Sequence, residues 1–334
     1  MARTPRWLRV LGIGALVALL AWRVGPAALG DALRGVDPRA LALAAVAALA
    51  VAAVSTLCVA WRWVLVARGL GLELSLPDAV AASYRAQFLN VTLPVGVAGD
   101  VHRAVSHGRS AGDVGRGVRA VVWERTAGQV VQVGLALAVL VAVASPLRSV
   151  VTDHVAAIGA VGLALVVTVS LLLRIRLRDS ASRASRLARA LTSDVRNGLL
   201  ARRVWPGVVA ASAIAVAGHL ATFLLAARAA GVAVTPMRVV PIAFVVLLAA
   251  ALPLNVAGWG PREGAAAWAF GVAGLGAAQG VVVAVVYGGL VIVAGLPGAV
   301  VLLRDGAHRP RRAGGRVRVD PPDRAEGVVG GARA

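Results

Sequence analysis

No lysine occurs anywhere in these 334 residues, and 35 arginines face only 15 acidic groups. Without lysine a Gly-x-x-x-x-Gly-Lys phosphate loop is impossible, which argues against direct nucleoside triphosphate hydrolysis. The preference for arginine follows from a composition in which Ala, Val, Gly and Arg are abundant together, so little function is read into it. A single cysteine, Cys58 in an apolar run, leaves neither a disulfide framework nor a cysteine metal site. His-Glu-x-x-His, a nucleophile triad and a hydrolase-type pair of carboxylates are all missing, and no cofactor or metal is expected.

Charge is scarce as well: 15% of residues are charged and 59% are hydrophobic, with a mean hydropathy of +0.81. A soluble domain carries roughly 25% charged residues. Runs such as Leu41–Ala60, Val133–Ala144, Ile158–Leu173 and Val281–Leu303 are too long for strands and approach the roughly 20 residues of a bilayer-crossing helix. The chain therefore reads as an all-α polytopic membrane protein. Six clear spans fall near 8–24, 40–67, 118–144, 151–173, 206–228 and 279–303. Val10–Ala21 follows Arg3, Arg6 and Arg9 and lacks a clear small-residue cleavage site, so it reads as a retained first span rather than a signal peptide.

A net charge of +20 would suggest nucleic acid in a soluble protein; here it reads as orientation charge and contact with anionic lipid, with no nucleic-acid partner. Arginines concentrate in the N-terminal tail, in 103–119, in 174–203 and after Leu303. The positive-inside rule puts these four segments, and so both termini, in the cytoplasm of a cell-membrane protein. Segment 183–199 carries Leu187, Leu191, Val195 and Leu199 on one helical face, which fits either an amphipathic surface helix or a solvated connector. Residues 304–334 read as a disordered basic tail.

Two stretches repeat. Leu93, Pro94, Val97, Ala98, Gly99 and Arg103 recur 159 residues later as Leu252, Pro253, Val256, Ala257, Gly258 and Arg262. Upstream, Arg68, Gly71 and Pro77 parallel Arg228, Gly231 and Pro236. Fixed-offset similarity marks duplicated units, here about 40–173 and 206–303 inside a membrane domain 1–303, with the basic loop 174–203 between them. Each unit contains a helix interrupted at Pro94, Gly96 and Gly99, or at Pro253, Gly258 and Gly260. The arginine distribution makes one break enter from the cytoplasm and the other from the opposite side, an inverted repeat. Re-entrant hairpins and pairs of short spans satisfy it equally, giving six to ten crossings.

Unwound backbone must be buried in protein or line a wet cavity. A helix restarting there offers free N–H groups and partial positive charge. Arg103 and Arg262 on the restarted helices would add a fork suited to phosphate, unless they only snorkel. Both restarts are expected to face one shared cavity. Asp100 and Glu263 beside them are either helix caps, holders of the arginines, or proton carriers. Glu124 and Arg125 are expected to pair with each other or with Asp100 or Arg103, since unpaired intramembrane charge costs at least ~2.5 kcal/mol. Asn90, with Gln87 and Arg85, makes the first hairpin arm too polar for lipid; Asn255 is its counterpart in the second break. Gln129, Gln132 and Gln279 are expected to bond between helices and His219 to be packed and bonded. His102 and His107 lack metal-ligand spacing.

At these residues the chain resembles the flippase-like membrane region of lysylphosphatidylglycerol synthases and its stand-alone relatives. The resembling pieces are "FLNVTLPVGVAGDVHRA" (88–104), "VVWERTAG" (121–128) and "LPLNVAGWGPREG" (252–264), within roughly residues 10–303. Ala98 and Ala257 stand where glycine is common. The resemblance implies translocation of a lipid between leaflets: an anionic or zwitterionic phospholipid, or a polyprenyl-phosphate carrier. Synthases of that group carry a further soluble domain, so aminoacyl transfer is not expected here. The alternatives are a membrane enzyme using Asp100, Glu124 or Glu263 as acid or base, and an accessory subunit. The sequence leaves a homo-oligomer open.

Overall fold

The computed structural model describes residues 30–31, 33–93, 96–143, 145–148, 190–251 and 260–308. The spans expected at 8–24 and 151–173, and the tail beyond His308, lie outside the described residues. Asp37 starts the first long helix, α1 (Pro38–Gly69), by accepting the Arg39 N–H at 2.9 Å, with Pro38 in the first turn where its missing N–H costs nothing. There follow α2 (Leu76–Thr92), α3 (Ala98–Ser110) and α4 (Val114–Ala142). A single π-turn, Asp194–Leu199, precedes α5 (Trp205–Ala229), α6 (Pro236–Ala250), α7 (Pro261–Val272) and α8 (Ala277–His308). Four helices are long and apolar enough to cross a bilayer: Pro38–Gly69, Val114–Ala142, Trp205–Ala229 and Ala277–Arg304. The chain is an all-α polytopic membrane protein.

The repeat read from sequence is a repeat in structure. Gly71 and Gly231 end α1 and α5 at φ of +75° and +78°, a left-handed turn that only glycine adopts freely. The N–H of Leu72 returns to the Ala67 carbonyl at 2.9 Å, and that of Val232 to Ala227 at 3.0 Å, the same C-terminal closure twice. Pro77 and Pro236 then open the next helix of each unit. Long helix, short helix, break, short helix, long helix: 38–142 and 205–308 share one plan.

Contacts fix the relative orientation. At one end of the bundle the Asp37 N–H reaches the Ala229 carbonyl at 3.0 Å, and Gln279 of α8 bonds the Ala230 carbonyl. At the other end Gly207 of α5 packs on Leu65 and Trp61 of α1, and Gly198 abuts Gly69. So α1 and α5 are antiparallel. Hairpin α2–α3 begins and finishes at the end holding 70–75 and 111–113; hairpin α6–α7 begins and finishes at the end holding 230–235 and 273–276. The cross-contacts mirror each other: α2 lies against α8 and α6 against α4, α1 against α8 and α5 against α4. The two units are inverted, and each hairpin enters from its own end.

Lipid tails are as apolar as leucine, so close approach of small residues rather than exclusion of water holds such helices together. Ala48, Ala60, Ala211, Ala226, Ala243 and Ala266 are fully buried. Gly99, expected as part of the break, sits in the first turn of α3, where a Cβ would come within 2.2 Å of the Ala86 carbonyl. Its role is contact between hairpin arms; the bend belongs to Gly96, at φ +64°. Pro94, Pro253 and Gly258 lie outside the described residues. Gly260, at φ +151°, caps α7. Of the basic loop 174–203, the part from residue 190 is described and docks on α1 and α4: Asp194 accepts from Arg119 at 2.7 Å and from the Trp123 indole at 3.3 Å.

Opposite entry has a direct test. In a Cys58→Ala background, Ala111→Cys and Val272→Cys in right-side-out vesicles should react with an impermeant maleimide from opposite compartments. Labelling of both from one side would refute the inverted arrangement.

Candidate functional site

Asn90, near the end of α2, holds the first break closed. Its Oδ1 accepts the Gly99 N–H at 2.8 Å and its Nδ2 donates to Asp100 Oδ2 at 2.9 Å. One free N–H of the restarted helix, that of Gly99, is thereby satisfied within the protein. Asp100 Oδ1 accepts from Arg103 Nε at 2.9 Å and from Arg125 Nη2 at 2.7 Å. Arg103 Nη2 donates onward to Glu124 Oε2 at 2.5 Å. The other oxygen of Glu124 receives both Nε (2.8 Å) and Nη2 of Arg62, whose Nη1 donates to the Ser212 hydroxyl at 2.9 Å. Five charged groups from α1, α3 and α4 thus form one network, tied by Ser212 to α5.

The centre of the network is buried, with Glu124 fully enclosed and Arg103 and Arg62 2% and 6% exposed, while Arg125 at its edge is exposed. Glycine makes the room. A Cβ on Gly128 would lie 2.5 Å from an Arg62 nitrogen. Three guanidinium groups meet two carboxylates, so the cluster holds one positive charge in excess. Taking ions out of water costs several kcal/mol each, repaid only by close, well-bonded partners.

Arg103 also lies over the Trp63 ring, 4.8 Å from its centroid, and His107 meets that ring edge-on at 5.5 Å. These three residues line a cavity of about 630 Å3 between the end of α1 and the two arms of the first hairpin. The α3 residues that line the cavity run from His102 to Ser110, beyond the first turn of the helix, so the expected dipole at the restarted helix does not serve it directly. Burial pushes the His107 imidazole below its ordinary value, keeping it neutral near pH 7.

The second break is built differently. Glu263 Oε2 accepts the Gly260 N–H at 2.7 Å, and its Oε1 accepts Arg262 Nε at 2.9 Å. It is both cap and holder of the arginine, two of the three roles that the sequence left open. Arg262 lies 5.6 Å from the centroid of the Tyr287 ring, with Gly288 beneath its guanidinium. Tyr287 Oη meets His219 Nδ1 at 3.3 Å, giving His219 the bonded place expected of it. Arg262 does not line the cavity that Arg103 lines. The shared pocket expected for the two arginines is, among the described residues, a pocket of the first hairpin alone. Asn255 lies outside the described residues.

Glu124 and Arg125 pair as expected, with Arg103 and Asp100 respectively, and Gln132 and Gln279 bond across helices to the carbonyls of Leu247 and Ala230. The sequence reading passed over Arg62 and Trp63. An arginine between two tryptophans, seven residues inside a span, was the available signal, since an intramembrane charge needs a partner. Among the described residues no group of three His, Cys, Asp or Glu side chains could hold a metal ion.

The network predicts its own fragility. Glu124→Gln leaves Arg62 and Arg103 without their shared carboxylate and should cost about 3–5 kcal/mol. Removing Arg62 together with Glu124 should cost less than Glu124→Gln alone. Thermal unfolding in detergent, followed by tryptophan fluorescence, reads both; a Glu124→Gln protein melting with the wild type would contradict the assignment.

Comparison with known families places the chain in one of them. The family model for the lysylphosphatidylglycerol synthase TM region covers residues 6–298. Searches of curated proteins and of solved structures find no match.

Proposed function

The chain belongs to the lysylphosphatidylglycerol synthase TM-region family, and from that premise we propose that it moves a lipid with a charged head group between the leaflets of the cytoplasmic membrane. The observation that carries this reading is the pair of inverted hairpins, each returning arm bearing an arginine–carboxylate pair inside the bundle. Charge placed in hydrocarbon is expensive and marks substrate pathways by default. Inverted repeats with interrupted helices are a recurring plan of transporters.

The end holding 70–75, 111–113 and 190–203 is the arginine-rich one, so the positive-inside rule assigns it to the cytoplasm along with both termini. A head group leaving the lipid surface there meets the first hairpin's cavity, while its acyl chains stay in hydrocarbon. The second hairpin offers Arg262 from the other side. Alternate opening of the two hairpins would pass the head group between them. The substrate class is an anionic or zwitterionic phospholipid, or a polyprenyl-phosphate-linked lipid.

The partners of the carboxylates favour a translocase over a membrane enzyme. Asp100, Glu124 and Glu263 accept from guanidinium, amide and backbone N–H groups, with no nucleophile among those partners. A carboxylate clamped by arginines is a poor proton exchanger at neutral pH. Aminoacyl transfer is no part of the proposal.

Reconstituted into proteoliposomes, the protein should translocate fluorescent phospholipid, measured by dithionite accessibility. Arg103→Ala and Arg262→Ala should each slow it by about tenfold or more, the worth of one charge-assisted phosphate contact. Arg103→Lys, which keeps the charge, separates lost contact from lost folding. Wild-type rates in both alanine variants would refute the assigned role.

A further inference from the structure

One face of α5 is buried along its length, marked by Val208, Ser212, Ala215, Phe223 and Ala226. By helical spacing His219 stands at the centre of that face. The exposed Ala210, Ile214 and Ala217 mark the opposite, lipid-facing side. Yet His219, deep in the bundle, is itself exposed. It therefore opens on a space inside the protein and not on the bilayer. Its Nδ1 meets Tyr287 Oη at 3.3 Å, and its Nε2 has no partner among the described residues. A polar nitrogen left open inside a membrane bundle requires that space to be wet. Two turns earlier on the same face, Ser212 accepts from Arg62 of the first network. On the other side, Arg262 of the second hairpin lies 5.6 Å from the centroid of the Tyr287 ring. His219 thus stands between the two arginine clusters.

The groups facing the imidazole are neutral or cationic. Arg62 of α1 and Arg125 of α4 are the charged side chains that act on it. From α8 comes Tyr287, with Arg262 of α7 at the same ring; the charged residue of α6, Arg238, stands in its first turn. Glu263 is committed to Arg262 and to the Gly260 N–H. We propose that His219 is a proton-binding site that sets how firmly the second hairpin is held to α8. The neutral ring takes a proton from water in the bundle, donates from both nitrogens while charged, and returns the proton to water. Tyr287 Oη then accepts from Nδ1–H, and its own hydrogen turns away; no bond between heavy atoms changes. A hydroxyl accepting from a cation draws electron density out of its ring, which weakens the attraction of that ring for Arg262. Arg262 keeps Glu263, which rides on the same helix, so α7 loosens from α8 with its ion pair intact. The switch stands on the geometry of α5, α7 and α8. Its use in transport rests on the translocase reading, to which it adds a proton as the coupled ion.

Histidine NMR on the purified full-length protein, assigned with His219→Gln, reads the proton. Bimane on Val272→Cys in a Cys58→Ala background, at the end of α7, reads the hairpin. The His219 resonance should titrate between about pH 5 and 8, and bimane emission should shift with the same midpoint. His219→Gln should abolish the shift. Tyr287→Phe keeps the ring and removes the hydroxyl; it should leave His219 titrating and abolish the shift, with both variants melting near the parent temperature. A His219 resonance that does not titrate in that range would overturn the proposal, as would a bimane shift that survives in either variant. In proteoliposomes, lowering the pH through the His219 midpoint should speed translocation several-fold in the wild type and leave His219→Gln unchanged. Translocation absent at every pH while the switch operates would remove the translocase reading and sustain the switch. Translocation with one pH profile in both proteins would overturn the coupling and sustain the translocase reading.

Discussion

A carboxylate inside a bilayer-spanning bundle has to find cations, and Glu124 finds two. Arg62 on α1 and Arg103 on α3 close on its two oxygens, and Asp100 joins Arg103 to Arg125. In hydrocarbon no water replaces a lost partner, so each group is held by the cost of stranding the next. That dependence fixes the register of the first hairpin against α1 and α4 more tightly than packing of alanines could. It also explains Gly128, the absence of a side chain that makes room for Arg62.

The two units share a backbone plan and differ in how charge is held. At Gly128 and at Gly288, each on the last helix of its unit, a guanidinium occupies the glycine gap. In the first unit it comes from the long helix, Arg62; in the second it comes from the hairpin, Arg262. The carboxylate follows suit. Glu124 belongs to a long helix and ties the hairpin to it, whereas Glu263 is the arginine's own neighbour on α7. Moving the first hairpin would pull apart ion pairs between helices. The Arg262–Glu263 pair would travel intact with the second. An inverted fold thus contains one hairpin strapped by charge and one whose ion pair is internal.

Much of the backbone plan was legible because it is local chemistry. A glycine that must turn left-handed, a proline that must start a helix and an apolar run of bilayer length each leave their signature within a few residues. Gly71 with Gly231 and Pro77 with Pro236 marked the duplication, and the four long helices lie within a few residues of the apolar runs. The network was legible only in pieces. Asp100, Arg103, Glu124 and Arg125 were visible as intramembrane charges, but Arg62 is 62 positions from Glu124 and 150 from Ser212. No periodicity encodes which helix faces which. The cavity was misplaced for a physical reason too: Asn90 takes up the Gly99 N–H at the restart, and the side chains that line the cavity lie farther along α3, from His102 on.

That displacement bears on what the cavity presents. A helix N-terminus offers partial charges to any anion, with little discrimination between one and two negative charges. Arg103, by contrast, is largely neutralised by Asp100 and Glu124 before a ligand arrives. What it still presents is one nitrogen beside an indole N–H and an imidazole, with a single charge outstanding across the whole network. The ion pairs to Asp100 and Glu124 by themselves hold the arginine in place.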